Sequence, residues 1–190
     1  MTADTLDPLG CATFLVVAFM LSGSAQAVWL ASEASRHWAW PLDGGRTFRH
    51  RRLFGDNKTA RGLALIPATA LAFFLLALTW SGDGLWPLTP MQYGALGALG
   101  GAGCVLAELP NSFIKRQLGI APGSAASGTV ARPLFFILDR LDSTLGVLAA
   151  VAFAVPIPPA TVAWLLVFGV VLHFTLSAVT FRLGGKERAA

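Results

Sequence analysis

The chain reads as an all-α integral membrane protein, a bundle of about five transmembrane helices with its N-terminus outside and its C-terminus cytoplasmic. Composition, the length of the apolar runs and the placement of cations lead there. Apolar residues make up 55% of 190 positions and charged residues only 13%, against roughly 45–50% and about 25% in ordinary soluble domains. That is too little charge to clothe a water-facing surface. The length suits one membrane-embedded domain, 1–190.

A spanning helix needs ~20 mostly apolar residues, because the hydrocarbon core is ~30 Å thick and a helix rises ~1.5 Å per residue. Five stretches meet or approach this: 9–31, 62–80, 91–108, 133–154 and 159–181. The segment before the first carries Asp4 and Asp7 and no cation, unlike a secretory signal, so 9–31 reads as a retained span. The third is the weakest, with Gly94, Gly97, Gly100, Gly101 and Gly103. Small residues there permit close helix approach, which is what holds helices together in lipid. Cys11 and Cys104 fall within apolar spans, without metal-ligand spacing, and read as small core residues. Buried helices of a soluble protein are the alternative.

Five spans put loops 32–61 and 109–132 and the C-terminal tail on one side. The N-terminus, loop 81–90 and the turn near Pro156 fall on the other. All 14 Lys and Arg belong to the first side or its membrane edge. The second side has Asp4, Asp7 and Asp83 and no cation. Cations in short loops mark the cytoplasmic face, and such a face attracts anionic lipid and polyphosphate. The asymmetry sets topology and does not by itself indicate catalysis.

Charges at the span ends are more informative. Glu108 closes the third span, and Asp139 and Asp142 interrupt the fourth in Asp139-Arg140-Leu141-Asp142-Ser143. A carboxylate near the bilayer centre costs about 2.5–3.5 kcal/mol on insertion scales, so it faces a partner or a wet cavity. Asp139 and Asp142, at i and i+3, share a helical face. Arg140 lies about 100° around the helix. These acids fit a divalent-cation site, since Mg²⁺ takes hard oxygens from one or two carboxylates and a substrate phosphate. An ion pair buttressing the bundle is the alternative. In a helix, Glu108, Ser112 and Lys115 line one face at i, i+4 and i+7. Pro110 would kink that helix or mark its restart. The Ser/Gly/Ala stretch to Ala131 suits a loop over a ligand or a plain connector.

The first basic loop contains Asp43-Gly44-Gly45 and then Arg52-Leu53-Phe54-Gly55-Asp56-Asn57-Lys58-Thr59-Ala60-Arg61-Gly62. Glycines let backbone amides approach a phosphate, and Lys, Thr and Arg supply donors. The P-loop spacing is absent and no strand precedes it, so that motif is rejected.

These clusters, with Ser112-Phe113-Ile114-Lys115-Arg116-Gln117-Leu118-Gly119-Ile120, resemble CDP-archaeol synthase over nearly the whole chain. The Asp139–Ser143 run is similar to the signature of the wider phosphatidate cytidylyltransferase superfamily, and His173 matches a histidine near the end of the last span. Glu108 stands where the family usually has Asp, Asn57 where it has Gly, Ser177 where it has Asn, and Arg140 where archaeal members have Gln. The last of these brings the motif closer to the bacterial phosphatidate enzymes.

The resemblance implies a CTP-dependent cytidylyltransferase that turns a membrane lipid phosphate into a CDP-lipid and pyrophosphate, working at the cytoplasmic face. On that reading Glu108 and Asp142 are the principal Mg²⁺ ligands, with Asp139 in support. Lys115 and Arg116 hold phosphates and Ser112 donates a hydrogen bond. Asp43, Arg52, Lys58, Thr59 and Arg61 bind the nucleotide. For His173, a hydrogen bond to a neighbouring helix and a place in the site both stay open. The expected partners are CTP and a lipid phosphate, with no nucleic acid; homo-oligomerisation is left open. Two rivals are weighed. A transporter or channel would line an ion path with its acids, but no internal repeat is seen. A CDP-alcohol phosphotransferase has a different acidic motif, from which Asp43-Gly44-Gly45-Arg46 diverges at once.

Overall fold

The computed structural model describes residues 3–182, apart from the side chain of His173. Lys186 and Arg188, expected on the basic side, lie outside the described residues. Five long helices dominate: α1 (Pro8–Ala31), α2 (Leu65–Thr79), α3 (Pro90–Gln117), α4 (Ala131–Ala154) and α5 (Pro159–Arg182). A short antiparallel hairpin, β1 (Thr47–Phe48) and β2 (Arg51–Arg52), lies in the first long loop, with Thr47 opposite Arg52 and Phe48 opposite Arg51. Each helix packs on its neighbours in sequence, and α5 returns to α1, closing a ring.

Local chemistry starts and stops these helices where the apolar runs begin and end. Asp7 caps α1, accepting from the amides of Leu9 at 3.1 Å and Gly10 at 2.9 Å, with Pro8 in the first position, where a missing N–H costs nothing. Thr89 and Gln92 form a reciprocal capping box on α3, again followed by proline. At its other end Gly119 adopts φ +77° and Ile120 N donates back to Lys115 O at 2.9 Å, a left-handed stop that suits glycine.

The exterior is apolar. Phe153 is 90% exposed, and Val28, Leu71, Leu78 and Val167 are also well exposed, whereas Ser22, Thr69 and Thr161 are buried. Such a surface suits lipid, where large apolar side chains need no cover. Pro8–Ala31, Ala60–Thr79 and Pro159–Arg182 are long and apolar enough to cross a membrane. Helices α3 and α4 have the length, but α3 is rich in glycine and α4 is interrupted by Asp139, Arg140 and Asp142.

Glycines set the depth of the inner crossings. A Cβ on Gly97 would lie 2.5 Å from Thr69 O on α2. Where α3 meets α4, a Cβ on Gly103 would lie 2.4 Å from Gly146 O. The small residues of the third span thus do what the sequence suggests. Helix α3 also runs unbroken through Pro110 to Gln117, so in place of a restart there is one helix that carries Glu108 and Lys115 in register.

The two ends of the bundle differ. At one end Asp7 N donates to Gly84 O at 2.8 Å, Trp86 Nε1 to Pro156 O at 2.7 Å and Thr161 Oγ1 to Pro8 O at 2.8 Å. The N-terminal segment, loop 81–89 and the turn before α5 therefore meet there. The first long loop and the end of α3 gather at the other.

Candidate active site

The antiparallel crossing at Gly103 and Gly146 brings the later part of α3 against the earlier part of α4, and a continuous polar network fills the seam. Ser143 Oγ donates to Glu108 Oε1 at 2.8 Å and lies 3.3 Å from Asp142 Oδ1. Asn111 Nδ2 donates to Asp139 Oδ1 at 2.7 Å and to Asp142 Oδ2 at 2.9 Å. Two lysines close the ends: Lys58 pairs with Glu108, and Lys115 pairs with Asp139. The Lys115 ammonium also sits 5.5 Å from the centre of the Phe135 ring. Burial works against the Lys58 charge, but its contact with Glu108 prevails and holds the ammonium above its ordinary range.

The structure therefore unites Glu108, Lys115, Asp139 and Asp142 with Lys58 from the first loop. Asn111 and Ser143 were not expected in the site. The signal for Asn111 was an amide three residues from Glu108 on the same helix; Ser143 directly follows Asp142.

Arg116 points elsewhere. It is 7% exposed, with Nε and Nη1 buried and without hydrogen bonds, under Gly55 and Pro122. Gly55 has φ +90°, and a Cβ there would lie 3.0 Å from Arg116 Nη1, so a side chain at 55 would invade the space beside the guanidinium. Ser112 is buried on α3.

The remaining first-loop residues shape the loop itself. The side chain of Asp43 is fully buried. It accepts from Gly45 N at 3.0 Å, Phe54 N at 3.1 Å, Gly55 N at 3.2 Å, and Arg52 Nη2 at 2.6 Å and Nε at 3.2 Å. Burial would raise its pKa, yet the Arg52 guanidinium and these amides together hold it well below the carboxylate range. Arg52 also pairs with Asp56 at 2.7 Å. Thr59 opens a 3₁₀ turn and bridges to Pro41. Arg61 donates to Leu30 O on α1, and its own carbonyl accepts from Gln26 and Trp29. Asp43, Arg52 and Arg61, expected to meet a nucleotide, are thus tied into the loop and to α1, with Arg61 Nε buried and without a hydrogen bond. Phe48 packs on Phe113 with ring centres 5.8 Å apart, and Arg51 donates to Gln117 O, docking the hairpin on α3.

Among the described residues no three His, Cys, Asp or Glu side chains converge to enclose a metal ion. Mg²⁺ shared with substrate phosphates needs only one or two carboxylates. Glu108 and Asp142, both at hydrogen-bond distance from one hydroxyl, supply that hard-oxygen pair. Asn111 Oδ1 beside them is buried without a partner. The donor set fits a Mg²⁺ ion, while Asp139 is turned toward Lys115 and Asn111.

Known proteins resemble the chain over most of its length. The chain is 34% identical over 163 residues to a CDP-archaeol synthase of Halobacterium salinarum, covering 77% of this chain and 81% of that protein. It is 32% identical over 157 residues to one of Thermococcus onnurineus, with the same coverage. A solved structure, described as an intramembrane enzyme for archaeal membrane lipids biosynthesis, superposes with a TM-score of 0.57 at 28% identity, covering 83% of this chain and 90% of that one. The class is that of a membrane-embedded cytidylyltransferase, which transfers the cytidylyl group of CTP to a lipid phosphate in membrane lipid biosynthesis. The model of the CarS-like family, CDP-archaeol synthase, matches residues 36–189, and the chain belongs to that family.

Proposed function

We propose that the α3–α4 network is the catalytic centre, and that the whole chain is one membrane-embedded domain of five spans with this centre at the cytoplasmic face. The observation that carries the reading is the joining of Glu108, Asp142 and Asp139 to Lys58 and Lys115 through Asn111 and Ser143. A phosphoryl-type transfer needs alignment and charge neutralisation more than covalent help. These acids and cations, at the membrane edge, offer both.

An oxygen of the lipid phosphate attacks the α-phosphorus of CTP in line. The new phosphorus–oxygen bond forms as the bond to the α–β bridging oxygen breaks, and pyrophosphate departs. Lys115 and Lys58 face the gathering negative charge, and Asp139 with Asn111 orients Lys115. Arg116, with buried and unsatisfied N–H groups, is suited to a phosphate oxygen near Gly55. Asp43, Arg52, Thr59 and Arg61 keep the first loop in the shape that presents Lys58. Glu108 and Asp142 would hold Mg²⁺, whose chemistry is neutralisation of phosphoryl oxygens.

In the relatives the product is CDP-archaeol by name. For this chain the substrate is defined by its phosphate headgroup, the part these cations address. The test is pyrophosphate release by the purified protein in lipid nanodiscs, given CTP and Mg²⁺ with an ether-linked isoprenoid glycerol phosphate or a diacylglycerol phosphate. Release dependent on both substrates supports the reading. Release without lipid phosphate, or none with either lipid, removes it.

A further inference from the structure

We propose that Arg140 anchors the phosphate of the lipid substrate, and that this headgroup reaches the site from the bilayer between α4 and α5, past Phe136 and Phe174. The inference deepens the cytidylyltransferase reading and rests on it. Arg140 lies between the two α4 acids in sequence, but its side chain leaves their network. The guanidinium carbon is 3.3 Å from the centre of the Phe136 ring and 4.3 Å from that of Phe174 on α5. Arg140 is 7% exposed, its Nη1 donates to Phe136 O at 2.6 Å, and its Nε is buried with no hydrogen bond. Among the described residues no carboxylate lies within ion-pair distance of it.

A desolvated cation without a counter-ion is unfavourable, and charged groups at membrane depth normally meet a partner. The two rings stabilise the charge through their faces. They cannot satisfy the in-plane N–H groups, which are what a guanidinium offers a phosphate. Position selects between the phosphates of the reaction. Phe136 and Phe174 are 51% and 39% exposed on the apolar exterior, whereas CTP arrives from water through the basic loop. The α4–α5 seam is also the thinnest of the five helix seams. Its close crossing is at Gly169, where a Cβ would lie 2.3 Å from Thr144 Oγ1, one turn along α4 from Arg140. A lipid that keeps its tails in the bilayer and places its headgroup at Arg140 presents an anion to the edge of the catalytic network.

Arg140→Gln and Arg140→Lys, in nanodiscs, provide the test. Three readouts are needed: KM for the lipid phosphate, KM for CTP, and retention of diacylglycerol phosphate against neutral diacylglycerol by native mass spectrometry without CTP. Loss of a charge-assisted, bidentate contact should raise the lipid KM of Arg140→Gln about tenfold or more. Its retention of lipid phosphate should fall to that of the neutral lipid, with KM for CTP little changed. Arg140→Lys should fall between the parent and Gln. A lipid KM and retention that stay at parent values while the thermal midpoint drops would make Arg140 a staple between α4 and α5, and overturn the proposal. An equal rise in both KM values would overturn it too. The arm without CTP judges Arg140 even if the parent protein turns over neither lipid, an outcome that would fall on the cytidylyltransferase reading.

Discussion

Gly103 and Gly146 meet backbone to backbone, and neither has room for a methyl group: a Cβ on Gly146 would stand 2.2 Å from the Gly103 carbonyl oxygen. Glu108 and Ser143 lie within two turns of this crossing on their helices, so its closeness governs whether their side chains touch. Gly146→Ala should part α3 from α4 and lower stability by about 1–3 kcal/mol, the ordinary range for overpacking. Turnover should fall further than that loss explains. Thermal midpoints and initial rates in the same nanodiscs check this, and a full rate with a lowered midpoint would separate the crossing from the site.

Glu108 tests whether charge or size matters in the network. Glu108→Gln keeps the shape but removes the charge that faces Lys58, and near-complete loss of activity is expected. Glu108→Asp keeps the charge but withdraws the oxygens by about one bond, a misplacement that can cost on the order of 10²-fold. Asp should still outperform Gln, and its Mg²⁺ titration should shift to higher concentration. Gln equal to Asp at saturating Mg²⁺ would reduce Glu108 to a hydrogen-bonding role. Excess EDTA should abolish turnover of the parent protein.

Lys115→Ala and Arg36→Ala each remove one cation from the same end of the molecule. Lys115 is mostly buried and paired with Asp139, whereas Arg36 is exposed. Only the first should depress kcat, by an order of magnitude or more. Equal effects would mean that the basic end merely attracts substrate.

Asp43 predicts a pH response of the first loop. Its folded pKa is held below the ordinary carboxylate range by Arg52 and backbone amides, against the opposing effect of burial. Its stabilising contribution is therefore complete above the unfolded value, about 3.9. It is lost only as pH falls through the lowered folded value. The loop should resist limited proteolysis at neutral pH and down to about pH 4, near the unfolded value. Asp43→Asn should be cleaved within the loop at neutral pH. Equal resistance of parent and variant would show that other contacts order it.

Topology can be read by labelling single cysteines in a Cys-free background. A cysteine at Ser124 should react only from the cytoplasmic side and one at Ser81 only from outside. Labelling of both from the same side would end the five-span arrangement.

Much of the fold was legible because lipid imposes a simple rule on sequence. The runs at 9–31 and 159–181 correspond to Pro8–Ala31 and Pro159–Arg182, since Pro8 with its capping Asp7, and Pro159, lie where hydropathy changes. The acids of the site and Lys115 stood out because charge is conspicuous in helices with long apolar runs, and Lys58 because it lies in the basic first loop. Register between helices was not legible. The positions of Asn111 and Ser143 as bridges depend on how far α4 slides along α3, which is fixed by one glycine crossing among several candidate glycines. The first loop was read by donor type, and sequence cannot tell that Arg52 pairs with Asp43 or that Arg61 reaches Leu30 O on α1. Pro110 was read as a kink or a restart, and the helix continues through it to Gln117.

The hydrogen bonds at the end remote from the site carry a mechanical consequence. Asp7 with Gly84, Trp86 with Pro156, and Thr161 with Pro8 tie that end through polar contacts. Acyl or isoprenoid chains have no donors or acceptors with which to replace these contacts. Apolar packing between helices is different, because a lipid tail can substitute for a neighbouring leucine at little cost. Prying the helices apart at that end therefore means breaking hydrogen bonds that a lipid tail cannot replace.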